Sequence, residues 1–296
     1  MRQQSLFDKP RTVPRTAPTR PSHPAELSFD SWSAWVDHCE RCAHPAGMAR
    51  TYELDDKEWT LGVDFQGALQ LAREGWPEGT RRAERQTMQL ADKLAPQLVR
   101  DEYRFERAPG VGFDMSRVLS NDPDCWVEPY ETHVAGPGRP LVLVVNRGAL
   151  GFIGADVIDR RGVAVAAFAI LLERAGRACE IRMVYRAAKQ GQHISESVLL
   201  KRAGEPLNLD VLTFALAHPA THRRLAFGSR EGRSNDLLQA LQVHPYGTSY
   251  GASIDMPESE RGDVYVGCMA GGEQWSSVES ATAWLRDTLK QQGAIA

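Results

Sequence analysis

His218 and His222 stand four residues apart in a stretch running from Leu212 through Pro219, with Arg223 and Arg224 directly after them. On an unbroken helix that spacing puts both imidazoles on one face, where they could hold a metal ion or act as a general base. Pro219 interrupts the helix, and no glutamate lies between the histidines. A helix C-terminus favours His and Arg through its dipole alone, so a structural reading stands beside the catalytic one for His218, His222, Arg223 and Arg224. Cys39-Glu-Arg-Cys42, flanked by His38 and His44, offers thiolates and imidazoles of the type that bind zinc. The set would be Cys39, Cys42 and His44. The alternative is a pair of cysteines at a helix end, and Ala43 excludes a c-type haem site. Gly148, Gly151 and Gly154 recur between a strand and a helix, where backbone donors can cradle a phosphate. The loop has no Walker lysine and does not match the dinucleotide fingerprint. Leu150, Phe152 and Ile153 suit packing instead. Arg81, Arg82 and Arg85 could meet phosphates or form a solvated helix face. No Ser-His-Asp or Cys-His arrangement stands out.

These residues must be positioned by a frame, and its centre is the stretch Arg139 to Tyr185. Leu141 to Val145 is unbroken aliphatic sequence, which suits a strand buried on both faces. The glycine turn follows, and Asp156 and Asp159 sit where a helix N-terminus favours negative charge. Val163 to Leu172 is apolar throughout, so that helix must be buried. Gly162 inside it implies a close approach by another element, because glycine there costs about 1 kcal/mol relative to alanine. Glu180 to Tyr185 reads as the next strand. Strand, turn, buried helix and strand form a βαβ crossover, hence an α/β core with a parallel pair.

Around this unit the chain divides into 1–25, 26–138 and 139–296. The first segment is proline-rich and basic, and its composition predicts disorder. The second reads as mainly helical, with helices over Phe29 to His38, Ala68 to Glu74, and Thr80 to about Val99. Trp59 to Phe65 is expected as a short strand, Arg104 to Cys125 as loop, and Trp126 to Glu128 as an edge strand. Gly136-Pro137-Gly138 marks the boundary. In the third, Arg186 to His193 reads as a turn and Ser197 to Lys201 as an antiparallel edge strand. Leu209 to Ala217 is a helix capped by Asn208 or Asp210, followed by a short helix Leu237 to Leu241 and a long loop His244 to Arg261. Asp263 to Cys268 is a strand and Ser276 to Gln291 a closing helix.

Composition narrows the function classes. Of 296 residues, 42% are hydrophobic and 25% charged, with net charge -3, which is ordinary globular composition without a global basic field for nucleic acid. The N-terminus has no secretory apolar region, and the central apolar run is about half a membrane span. The odd number of cysteines, five, argues against a disulfide framework and for a reducing cytoplasm.

Three resemblances add to this. Gln3-Gln4-Ser5-Leu6-Phe7 is similar to the pentapeptide by which bacterial replication and repair proteins dock on the DNA sliding clamp, with Gln4 in place of the usual Leu. Leu6 and Phe7 would fill an apolar pocket and Gln3 would bond at its rim. The portion from Leu141 onward resembles a von Willebrand factor A-type domain, nearest to that of cobaltochelatase-like subunits, and so implies a three-layer, Rossmann-like sheet flanked by helices. That family holds a divalent ion with an Asp, two hydroxyls, a Thr and a second Asp. Here Asn146 stands for the first Asp, Gly148 and Ala149 for the hydroxyls, and Met269-Ala270-Gly271 lacks the second Asp. No metal or other cofactor is therefore expected. The loop Asn146, Arg147, Gly148 and Ala149 becomes a binding surface, with Arg147 either at the metal's place or at the surface. The whole chain also resembles an uncharacterised group of phage and prophage proteins, through Phe65-x-Gly67, Gly75-Trp76-x-x-Gly79 and the Leu212 to Arg224 stretch. The resulting expectation is a non-enzymatic, cytoplasmic interaction protein with a protein partner, no membrane and nucleic acid left open. The rival is a nucleic-acid-processing or metal-dependent enzyme using the His218 to Arg224 cluster.

Overall fold

A computed structural model describes residues 25–51, 57–94, 102–106, 112–130, 140–174, 177–189, 191–240, 251–275 and 277–291. The pentapeptide with Gln3, Leu6 and Phe7, the rest of the 1–24 stretch and the expected Gly136–Gly138 boundary lie outside the described residues. Strand β1 (Glu26–Phe29) and helix α1 (Trp32–Cys42) come first. Two single turns, α2 (Met48–Thr51) and α3 (Lys57–Thr60), precede the longer α4 (Phe65–Glu74) and α5 (Pro77–Leu94). Then come β2 (Glu102–Glu106), β3 (Gly112–Phe113), α6 (Met115–Leu119) and β4 (Trp126–Tyr130). The central unit is β5 (Leu141–Asn146), α7 (Ala155–Arg174) and β6 (Cys179–Lys189). It leads to β7 (Gln192–Lys201), α8 (Leu209–Ala217), a π-turn over Thr221–Ala226, α9 (Phe227–Glu231) and α10 (Asn235–Ala240). The described chain closes with β8 (Ala252–Ser253), β9 (Val264–Val266) and α11 (Val278–Gln291).

The main sheet runs β1-β7-β6-β5-β9, with β8 also paired to β6. Its β1–β7, β5–β6 and β5–β9 pairs are parallel, and its β6–β7 and β6–β8 pairs are antiparallel. This is the α/β architecture expected from the βαβ signal, with helices of the N-terminal region packed on it. Strand alternation explains the two faces. Leu143, Val145, Ile181, Met183, Val198, Val264 and Val266 join the large core that also holds α1, α4, α5, α7, α8 and α11. Val144, Val184 and Tyr265 face the other way, under Val142 and Met256.

Helix ends follow local chemistry. Ser31 Oγ accepts from Ala34 N (3.3 Å) at the start of α1. Asp64 Oδ1 accepts from Gly67 N (2.7 Å) at the start of α4, and Asn208 Oδ1 from Val211 N (3.2 Å) at the start of α8. Gly75 ends α4 at φ +93°, tight against Asp210, where only glycine fits easily. Pro77 opens α5, its missing N–H being no loss at a first turn. The Trp76 ring lies where a Gly79 Cβ would be. The Gly75-Trp76-x-x-Gly79 pattern is therefore a tight helix-to-helix corner.

Several expectations are corrected. Trp59 to Phe65 is the end of α3 and the first residue of α4, since Asp64 caps a helix there. Phe29 belongs to β1, and α1 starts at Trp32 and runs to Cys42. Helix α5 starts before Thr80 because Pro77 nucleates it. Within Arg104 to Cys125 lie the end of β2, β3 and α6, and β4 is the middle strand of the order β2-β4-β3, not an edge. Most of the Arg186 to His193 stretch is strand, since β6 runs to Lys189 and β7 starts at Gln192. Strand β7 is flanked on both sides, by β6 and by β1.

Gly162 sits where α7 crosses α8: a Cβ there would collide with the Leu216 carbonyl oxygen and the Ala217 Cα. Gly162→Ala gains about 1 kcal/mol of helix propensity but overpacks a backbone contact, at about 1–3 kcal/mol or more. Urea unfolding should show net destabilisation. Gly151→Ala, whose Cβ meets nothing within 4 Å, should stay within about 0.5 kcal/mol of wild type. Equal stabilities for the two variants would refute the close crossing.

Candidate functional site

The first candidate lies where β5 ends. In open α/β sheets ligands bind outside the carboxyl ends of strands, at the point where connections diverge to opposite sides. Here the carboxyl ends of the adjacent parallel strands β5 and β9 bound a crevice, with α7 and α11 on the same face of the sheet. Asn146 is fully buried. Its Nδ2 donates to the Ile254 carbonyl (2.9 Å) and the Tyr265 hydroxyl (3.0 Å), and its Oδ1 accepts from Gly148 N (2.9 Å). Tyr265 donates to Asp255 Oδ1 (2.9 Å) and also accepts from Met256 N (3.0 Å). A phenol has one donor and two acceptor sites, so this one is saturated.

Arg161 of α7 fills the crevice. Its Nη2 donates to the carbonyls of Asn146 (3.0 Å), Val266 (3.3 Å) and Gly267 (2.6 Å), and its guanidinium lies 5.7 Å from the Trp275 ring centroid. Arg147, expected at the surface or at a metal's place, is fully buried. It folds inward because its own N–H continues the sheet to Val184 O (2.8 Å) while its side chain meets the end of α8. Its Nη2 donates to His218 O (3.2 Å), and its Nε and Nη1 have no partner among the described residues. Thus the 146–149 loop and the 218–224 segment, separate in sequence, touch in the fold.

That segment is the π-turn after α8. Pro219 ends the regular helix, and the wider turn aims its side chains in different directions. His218 packs edge-on to Trp76, with ring centroids 4.7 Å apart. Its Nδ1 accepts from Ala220 N (3.2 Å), which leaves the proton on Nε2. His222 lies between Tyr185 and Phe227, each ring 5.4 Å away, and its Nδ1 has no partner among the described residues. Arg223 donates to the carbonyls of Trp59 (2.8 Å) and Ile153 and lies 3.7 Å above the Trp59 ring. Arg224 donates to the carbonyls of Val63 (3.2 Å) and Ala49 (3.4 Å). Both guanidinium groups brace main chain.

Burial sets the electrostatics. It pushes the Arg161 guanidinium down to about 9, helped by the charge of Arg147, so Arg161 remains a cation at neutral pH. It lowers Arg147 as well. Burial, with Arg147 and Arg82 nearby, holds His218 at about 3. His222 is held well below its ordinary value by burial, then by Arg230, Arg223 and Arg147. Both rings are neutral at physiological pH, and a base of pKa about 3 is far from the working range of general-base catalysis.

The remaining candidates are placed as follows. Cys39 is buried, and burial, Glu196 and Cys42 raise its thiol well above the ordinary value, so it is not a ready thiolate. Cys42 Sγ lies 3.6 Å from His38 Nε2, and His44 Nδ1 accepts from Ala46 N (3.1 Å). Among the described residues no three His, Cys, Asp or Glu side chains form a group that could hold a metal. In the glycine loop, the N–H groups of Gly148, Leu150 and Ile153 bond to Asn146 Oδ1 (2.9 Å), Met269 O (3.1 Å) and Leu150 O (3.0 Å), so they are not free to cradle phosphate. Ala149 and Ile153 pack with Ile158 and Met269, while Phe152 is 75% exposed.

Residues missed in the sequence include Arg161, Asp255, Tyr265 and the buried group around Glu196. Glu196 accepts from Trp35 Nε1 (3.0 Å), Ser229 Oγ (2.7 Å) and Arg233 Nη2 (2.7 Å). Burial would raise its pKa, but Arg233, Trp35, Arg230 and Ser229 hold it below the ordinary value. A signal existed only for Arg161, a charge directly before the all-apolar run of α7.

Residues 16–296 match the family described as a domain of unknown function, DUF7192. The chain belongs to the DUF7192 family. No curated protein and no solved structure matches it. Among the described residues of this DUF7192 chain, no helix is long and apolar enough to cross a membrane.

The two neutral histidines make the DUF7192 fold acid-sensitive. Unfolded, each would titrate near about 6.5; folded, His218 stays neutral down to about 3. The unfolded chain therefore binds more protons between those values, and stability is lost as pH falls below about 6.5. His218 should contribute about 2 kcal/mol of loss between about pH 7 and about pH 5, and His222 a loss of the same sign. Urea unfolding at the two pH values measures this for wild type and His222→Asn. The variant should lose distinctly less stability on acidification; an identical pH dependence would contradict a buried neutral His222.

Proposed function

We propose that this DUF7192 protein is a non-enzymatic interaction protein of phage or prophage type, built on a metal-free A-type-like domain and working in the cytoplasm. The observation that carries this reading is Arg161. Its guanidinium takes the strand-end carbonyls of Asn146, Val266 and Gly267 in the crevice where such a sheet would bind its ligand. A divalent ion there needs oxygen ligands and usually a carboxylate. It would instead meet two buried guanidinium groups, an Asn146 amide already bonded on both sides, and glycine and alanine in place of hydroxyls. The residues do not fit a metal. The His218 to Arg224 cluster also favours a binding protein over an enzyme, since its imidazoles are buried and its arginines hold main chain. Calorimetric titration with magnesium and with manganese should give no saturable site of micromolar affinity. A saturable site that Asn146→Ala abolishes would reverse the reading.

The partner we propose for the N-terminal motif is the bacterial sliding clamp. The support is sequence alone: Gln3, Leu6 and Phe7 at clamp-motif spacing, followed by a basic, proline-rich stretch. Leu6 and Phe7 would supply most of the affinity, at about 1.5–3 kcal/mol each if fully buried, offset by the entropy of ordering the segment. Fluorescence anisotropy of a peptide covering Met1 to Arg11 against purified clamp should show weak, saturable binding. The Leu6→Ala, Phe7→Ala double variant should not bind. Equal binding by both peptides, or none at high micromolar clamp, would remove the clamp as partner.

A further inference from the structure

A surface cavity of about 280 Å³ opens between α5, α7 and α11, away from the strand-end crevice. Arg82, Arg85, Gln86 and Gln89 of α5 form one wall, and Asp159 and Arg160 of α7 the other. Val163 and Ala281 add apolar surface. The charges are not all spent within the protein. Asp159 holds Arg82 through two bonds of 2.6 Å, and Arg82 Nε remains buried with no partner among the described residues. Arg160 is held by Asp156 (2.8 Å) and by the Trp275 carbonyl (2.8 Å). Arg85 makes no hydrogen bond or ion pair with any described residue, so one guanidinium of the wall is left for a ligand. Gln86 is only 8% exposed, lines the cavity, and likewise has no hydrogen-bond partner among the described residues. Its amide atoms still reach solvent through the cavity, so a ligand there can take them.

The geometry points to a binding site for a small phosphomonoester. A phosphate presents three acceptor oxygens in different directions and a charge of about -1.5 to -2 at neutral pH. Guanidinium groups from two helices and the Gln86 amide supply donors from different directions, which suits a tetrahedral anion better than a planar carboxylate. The cavity is larger than inorganic phosphate needs, and Val163 and Ala281 offer surface for the organic part. Asp159 holds Arg82 in its orientation and would not contribute to the anion itself.

The test is calorimetric titration of the full chain at low salt with glycerol 3-phosphate, inorganic phosphate and glycerol. Arg85→Ala removes the unpaired cation of the wall. Arg81→Ala removes the same charge one turn away on α5, from an exposed residue outside the cavity lining. Glycerol 3-phosphate should bind saturably, inorganic phosphate more weakly and glycerol not at all. Arg85→Ala should weaken the ester by at least about tenfold, and Arg81→Ala by less than about twofold. Melting temperatures of both variants equal to wild type confirm that the folded cavity is being compared. No saturation by about 10 mM ester, equal weakening by the two variants, or inorganic phosphate binding as tightly as the ester would overturn the assignment.

Discussion

Buried main-chain carbonyls need donors, and in this fold arginine side chains provide them. Where β5 and β9 end, the ladder stops inside the protein, and Arg161 takes the carbonyls left over. Where the N-terminal turns α2 and α3 meet the core, Arg223 and Arg224 take the carbonyls of Trp59, Val63 and Ala49. Glu231 does the converse, accepting from the N–H groups of His44 (2.6 Å) and Ala49 (2.9 Å). Charge-assisted bonds of this kind are roughly twice as strong as neutral ones. They substitute for secondary structure in segments too short to satisfy themselves.

Such a design carries desolvation cost, and Glu196 shows how it is met. The carboxylate is buried but receives the Trp35 indole, the Ser229 hydroxyl and the Arg233 guanidinium. These partners come from α1, α9 and the residue pair just after α9, so one side chain of β7 ties the N-terminal helix to the middle of the chain. Breaking one partner of a buried pair costs about 3–5 kcal/mol, mostly through the charge left behind. The stack of Trp35 on Tyr185, 6.0 Å between centroids, extends the same junction into β6. The N-terminal helices are thus joined to the sheet by polar bonds as well as by the shared core.

What could be read beforehand divides by range. The β5–α7–β6 unit was legible because its signal is local: an aliphatic run, a glycine turn, and a helix apolar all round. Gly162 was legible for the same reason, as a residue whose helix cost demands a contact. Strand β1 was not, because its polar-apolar alternation covers only four residues and its partner, β7, lies far along the chain. Trp59 to Phe65 has strand-like composition, and the Asp64 cap overrides it. At the site, the types and spacing of His218, His222, Arg223 and Arg224 were visible, but their meaning depended on burial. An isolated arginine reads as solvated unless its surroundings are known, which is why the sequence alone allows two readings of Arg147. The Glu196 group gives no local sign, since its partners are brought together only by the finished fold.

Three consecutive residues of α7 show how position on a helix separates these roles. Successive side chains point about 100° apart around an α-helix. Asp159 faces α5 and holds Arg82, Arg160 reaches the Trp275 carbonyl before α11, and Arg161 turns to the ends of β5 and β9. Arg161 is sealed in and turns its Nη2 to the protein's own carbonyls. Arg160, with much of its side chain exposed, borders an open cavity beside Arg85, which makes no ion pair with a described residue. The same residue type therefore closes one potential site and lines another, and access to solvent decides which. A ligand can replace water at the α5–α7–α11 cavity, whereas at the strand ends it would first have to displace a guanidinium from the protein's own carbonyls.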